Sequence, residues 1–108
     1  MKKFAARQGD VLIRQINKIP GELVPVPLDN GRVILAYGEV TGHAHAVVGD
    51  VELLAADLEE MELRFLRVEG EMAEVVHEEH GTITLPPGDY EVRRQREYAP
   101  EASVMVAD

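Results

Sequence analysis

Four histidines are the residues of this chain best suited to chemistry, and they fall in two tight pairs. His43 and His45 stand one residue apart in "GEVTGHAHAV", and His77 and His80 share "VVHEEHG". On a β-strand, residues i and i+2 face the same side. His43 and His45 would therefore project together, leaving Ala44 and Ala46 on the opposite face. Two parallel imidazoles converge above the strand and present two nitrogens to one metal ion. Gly42 gives the backbone freedom to bend or bulge just before them. The second segment reads as two strands joined by a turn at Glu78 to Gly81, with His77 ending the first strand and His80 in the turn. Glu78 and Glu79 lie between these histidines as a carboxylate ligand, an orienting group or a general base. The spacing is H-x-x-H, unlike the helical H-E-x-x-H of zinc proteases. Against all this stands the ordinary fate of histidine pairs, which often sit on surfaces and in turns without a chemical role.

A second constellation follows in "YEVRRQREY". Strand alternation puts Tyr90, Val92, Arg94, Arg96 and Tyr98 on one face. Guanidinium forks suit phosphate or carboxylate, and tyrosine rings suit a base or sugar. Arg94, Arg96, Tyr90 and Tyr98 are thus candidates for an anion or substrate surface. The plain alternative is a solvated strand face paired with acids elsewhere.

The elements that must position these residues are strands. Short apolar runs with β-branched residues recur along the chain: "DVLIRQI", "RVILAY", "HAHAVV", "VELLAA", "ELRFLRV", "MAEVVH", "TITL", "YEVRR" and "SVMVA". Gly and Pro separate them, and "DNG" at 29 to 31 is a hairpin signal because Asn-Gly supplies positive φ angles. The pattern predicts one all-β domain over residues 1–108, a small β-barrel or sandwich of six to nine strands. "LLAADLEEMELRFL" is rich in helix formers and leaves room for one short helical turn near 55–62, although two strands around a turn at "ADLEE" are favoured. "IPGELVPVPLDNG" is expected to be an extended loop, since Pro20, Pro25 and Pro27 cannot donate to a ladder.

A length of 108 residues suits one domain rather than two. With no cysteine, disulfides and thiolate metal sites are excluded, as fits a reducing compartment. No apolar h-region precedes Asp10 and no run approaches the ~20 residues of a membrane helix, so a cytoplasmic protein without membrane contact is expected. The net charge of −9 is local: residues 50 to 80 hold eleven acids against two arginines, −9 by themselves. That disfavours bulk nucleic-acid binding while leaving room for a small anionic ligand.

Two resemblances bear on function. "QGDVLI", "GEVTGHAHAV", "VHEEHG", "LPPGDYEV" and "RQREY" resemble a family of small, uncharacterised bacterial and phage-associated proteins, which implies that the histidine segments and the arginine strand belong to one set. The H-x-H of His43 and His45, with Gly38 before it and "PPGDY" at 86 to 90, is weakly similar to cupins, metal-binding β-barrels. Gly49 and Asp50 stand where cupins carry a Glu, and no His follows "PPG".

The leading expectation is a metal-binding β protein with His43 and His45 as ligands and His77, His80 or Glu78 completing the shell. Imidazole and carboxylate suit a divalent ion such as zinc, iron, nickel or manganese. An open position would make it an enzyme acting on a small substrate. One alternative is metal-independent acid–base chemistry on a phosphodiester or nucleotide, with Arg94 and Arg96 holding the phosphate. Another is a homo-oligomeric or protein-interaction module without catalysis.

Overall fold

Two largely antiparallel sheets face each other in the computed structural model, which describes residues 3–38, 42–94 and 105–107. The strands are β1 (Ala5–Gln8), β2 (Val11–Ile16), β3 (Val24–Pro25), β4 (Val33–Tyr37), β5 (Ala44–Val48), β6 (Val51–Ala55), β7 (Leu63–Val68), β8 (Ala73–Val76), β9 (Ile83–Leu85), β10 (Gly88–Arg94) and β11 (Met105–Ala107). The larger sheet runs β11-β1-β2-β10-β7-β6-β3 and the smaller β4-β5-β8-β9. Among the described residues only the β1–β11 pairing is parallel. Among the described residues neither sheet closes on itself, so of the barrel and the sandwich the fold is the sandwich.

Eleven strands among the described residues replace the six to nine expected: each of the nine apolar runs forms one strand, and β1 and β3, which carry no such run, are added. One of them lies inside the proline-rich segment: Val24 and Pro25 pair with Ala55 and Leu54 of β6. Pro25 is tolerated there because β3 is an edge strand. Ile19 and Leu23, from the same segment, pack on Leu54 and Phe65 over the outer face of the larger sheet.

Local chemistry explains why no helix forms over 55–62. The Asp57 carboxylate accepts from the amides of Glu59 and Glu60, and the Glu60 carboxylate accepts from those of Glu62 and Leu63. Side chains thus capture the amides that a helix would have used, and β6 and β7 join through a turn. The "DNG" signal is realised: Asn30 and Gly31 have φ of 51° and 76°, and Asp29 and Arg32 exchange both backbone hydrogen bonds. Among the described residues, no helix is long and apolar enough to cross a membrane.

The core lies between the sheets. It joins Ala6, Val11 and Ile13 of β1 and β2, Leu66, Tyr90 and Val92 of β7 and β10, and Leu35, Val47, Val75, Ile83 and Leu85 of the smaller sheet. A bulge between Ile34 and Ala36 shifts the register of β4 on β5 and sets Ala36 opposite His45. Extra residues of this kind re-aim side chains locally. At this end of the sandwich the apolar layer gives way to polar groups.

Candidate functional site

The histidines meet at that end. β5 carries His45 inward at the start of the strand, beside Val47 on the core face, while Ala44 and Ala46 pack outward with Ile34 and Val76. His43 directly precedes the strand. The hairpin of β8 and β9, in register from Ala73↔Leu85 to Val75↔Ile83, delivers His77 and His80 from its connection. Ring centroids lie 4.3 Å apart for His45–His77, 4.7 Å for His77–His80, 5.8 Å for His43–His77 and 5.9 Å for His45–His80. His77 touches all three other rings.

Hydrogen bonds decide which nitrogen carries the proton in three of the rings. Gln8, wholly buried at the end of β1, donates from Nε2 to the carbonyls of Val75 and Gly81, 3.1 and 2.8 Å away. Its amide therefore has one orientation, and Oε1 is an acceptor facing His45 Nδ1 at 2.8 Å. His45 must be the Nδ1–H tautomer, with a lone pair on Nε2. His43 Nδ1 lies 3.1 Å from Glu79 Oε2, so it too donates through Nδ1 and keeps Nε2 open. His77 is the reverse: its Nδ1 accepts from the Glu79 amide at 3.0 Å, which places the neutral ring's proton on Nε2.

His45 is 3% exposed. Burial pushes its pKa down to about 4; His77, His80 and Arg94 add to the depression and Asp10 opposes it. The ring is neutral near pH 7. Glu78 accepts from the Ala44 amide at 2.8 Å, and that bond holds its carboxyl below the ordinary range. Glu78 and Glu79 thus orient the start of β5 and His43 in this structure.

Two residues that sequence reasoning passed over complete the site. Gln8 is one. Asp10, in the two-residue turn between β1 and β2, is the other: its Oδ1 is 3.7 Å from His45 Nε2, and its Oδ2 accepts from Arg94 Nε at 3.0 Å. Gln8 left no readable trace, because β1 carries no apolar run and the burial of Ala6 and Gln8 follows only from the fold. Asp10 left none, because an acid beside a turn glycine is ordinary.

The arginine strand needs correction. Tyr90, Val92 and Arg94 do share a face, but it is the inner one. Tyr90 has no exposed surface, stands edge-on to Phe4 at 6.3 Å and donates its hydroxyl to the Pro86 carbonyl. Burial raises its pKa to about 12. A ring sealed in the core offers no stacking surface, so Tyr90 is a packing residue. Arg94 reaches the histidine end, where Asp10 and the Tyr37 carbonyl engage it. Arg96 and Tyr98 lie outside the described residues.

Among the described residues, no three His, Asp or Glu side chains stand in metal-ligand geometry. A family model matches residues 7–95, described as a domain of unknown function, DUF8820. The chain belongs to that family. The match spans both histidine segments, Gln8, Asp10 and Arg94, and carries nothing of cupins. No curated protein and no solved structure matches the chain.

Proposed function

We propose that this DUF8820 chain binds a divalent transition-metal ion at the histidine end of the sandwich, with His43 and His45 as ligands through Nε2. One observation carries the reading. Each of these rings has its Nδ1–H engaged by an oxygen acceptor, Gln8 Oε1 or Glu79 Oε2, and keeps the lone pair on Nε2. Metal-bound histidines use this arrangement, in which an outer acceptor sets the tautomer and raises ligand basicity. The low pKa of His45 helps, because a neutral imidazole binds without first losing a proton. His77, His80 or Glu78 would complete the shell after side-chain rotation at the hairpin tip. Nitrogen and carboxylate donors without thiolate suit zinc, iron, nickel or manganese.

The test is elemental analysis of the untagged protein, with a parallel melt in chelator. About one equivalent of metal is expected, lost when His43 and His45 are both replaced by alanine. Absence of copurifying metal, together with identical melting curves with and without chelator and added zinc, would overturn the reading.

A second reading draws support from the opposite tautomers of His45 and His77. A lone pair on one ring and an N–H on a ring 4.3 Å away could serve as base and acid on a small phosphate ester. Arg94, held by Asp10 beside His45, would assist. Phosphodiesterase activity that survives chelation would favour this alternative.

A further inference from the structure

We propose that Asp10 is the carboxylate ligand of the centre, bonding through Oδ1 beside Nε2 of His45. The inference rests on the metal-binding reading above and adds a residue from the opposite sheet.

The separation of 3.7 Å is too long for a hydrogen bond, which runs 2.7–3.2 Å between nitrogen and oxygen. The proton inventory gives the same answer. Gln8 holds the His45 proton on Nδ1, so Nε2 presents a lone pair, and a carboxylate has only lone pairs to present. Two acceptors face each other with no proton between them. A cation between the two atoms relieves that opposition. Zinc-type bonds of about 2.0–2.2 Å to nitrogen and oxygen place two donors of a tetrahedral ion about 3.4 Å apart. The observed spacing is a few tenths of an ångström wider, within reach of a small side-chain adjustment.

The surroundings are those of a held ligand. The Asp10 carboxylate is fixed through its other oxygen by Arg94, whose Nη2 donates to the Tyr37 carbonyl at 3.3 Å. Hydrogen-bonded carboxylates of this kind keep their bonding oxygen aimed. His45 is 3% exposed and Asp10 35%, so one donor lies at the floor and the other at the mouth, where an ion can enter. The turn supplies room for a third donor. Gly9 lacks a Cβ, and an atom there would stand 2.9 Å from His80 Nε2 and 3.2 Å from His45 Cε1. His80 Nε2 therefore comes to the same turn that carries Asp10. His45, His80 and Asp10, with His43 as fourth donor, would make a mixed imidazole and carboxylate set that fills a tetrahedral shell.

The experiment titrates the chelated, full-length protein with Co²⁺ alone and follows visible absorption, with Zn²⁺ calorimetry in parallel. Wild type is expected to bind one equivalent. Asp10→Asn keeps shape and an oxygen for Arg94, and should weaken binding at least tenfold and alter the Co²⁺ spectrum. Asp10→Glu should retain binding with a shifted spectrum, and serves if the asparagine variant does not fold. Unchanged affinity and spectrum in Asp10→Asn would overturn the assignment and leave the histidine reading standing. Weaker binding with an unchanged spectrum would also overturn it, by placing Asp10 outside the coordination sphere. If wild type binds neither ion, the histidine reading and this inference fall together.

Discussion

Gln8 shows how one amide can organise a site. Buried at the end of β1, it bridges Val75, Gly81 and His45, and so sets both a tautomer and the spacing between sheets. Gln8→Ala would leave two carbonyls and an imidazole N–H without partners in a buried place. A loss of about 2–4 kcal/mol is expected, from unmade hydrogen bonds plus the cavity, measured by urea denaturation. A loss below about 1 kcal/mol would mean that the bridge is not formed. His45 makes a separate prediction in metal-free protein, with His77, His80, Asp10 and Arg94 as its charged and titratable neighbours. Its pKa is about 4 when folded against 6.5 unfolded, so the unfolded chain takes up the proton first as pH falls. This contribution to stability is therefore intact above about pH 6.5, declines below it, and is gone near pH 4, for a total of about 3 kcal/mol. Denaturation of wild type and His45→Gln across that range checks it. A matching pH slope in the two proteins would show that His45 does not bear the linkage.

At the scale of elements, local signals in the sequence were readable and directional ones were not. The "DNG" turn, the hairpin carrying His77 and His80, and the turn at "ADLEE" each follow from side chains within a few residues of one another. Alternation correctly grouped Tyr90, Val92 and Arg94, but a period of two says which residues share a face and not which face is buried. That choice depends on the opposite sheet, whose contacts with β10 come from distant parts of the chain. Asp10 was hidden for the same reason: it precedes His45 by 35 residues and meets it only after the sheets stack. The β1–β2 turn itself can be tested. Gly9 and Gly31 both have positive φ, 58° and 76°, so alanine at either should cost about 1–2 kcal/mol. A Cβ on Gly31 meets nothing within 4 Å, whereas one on Gly9 must displace His80. Gly9→Ala is therefore expected to shift the imidazole resonances of His80 and His45, and Gly31→Ala to leave them in place. Identical imidazole spectra in the two variants would show that the turn does not abut the histidines.

On the scale of the whole molecule, the site lies across the seam of the sandwich. Gln8 and Asp10 come from the larger sheet, and His43, His45, His77 and His80 from the smaller one or its connections. An ion held from both sides would tie the sheets together rather than stiffen one loop. A ligand that binds only the folded state adds RT ln(1 + [L]/Kd), about 2.7 kcal/mol at a hundredfold excess over Kd. For a domain of this size that corresponds to a melting point higher by roughly 10–20 °C. Amides that exchange through global unfolding should slow by the same free energy, about a hundredfold. The slowing is expected together in β1 and β2 of one sheet and β5 and β8 of the other, measured by hydrogen exchange with and without zinc. Both sheets must respond because opening either one pulls His45 away from Gln8 and Asp10. Protection gained only at residues 77–82 would describe an ion held by the hairpin tip alone, and would remove the larger sheet from the site.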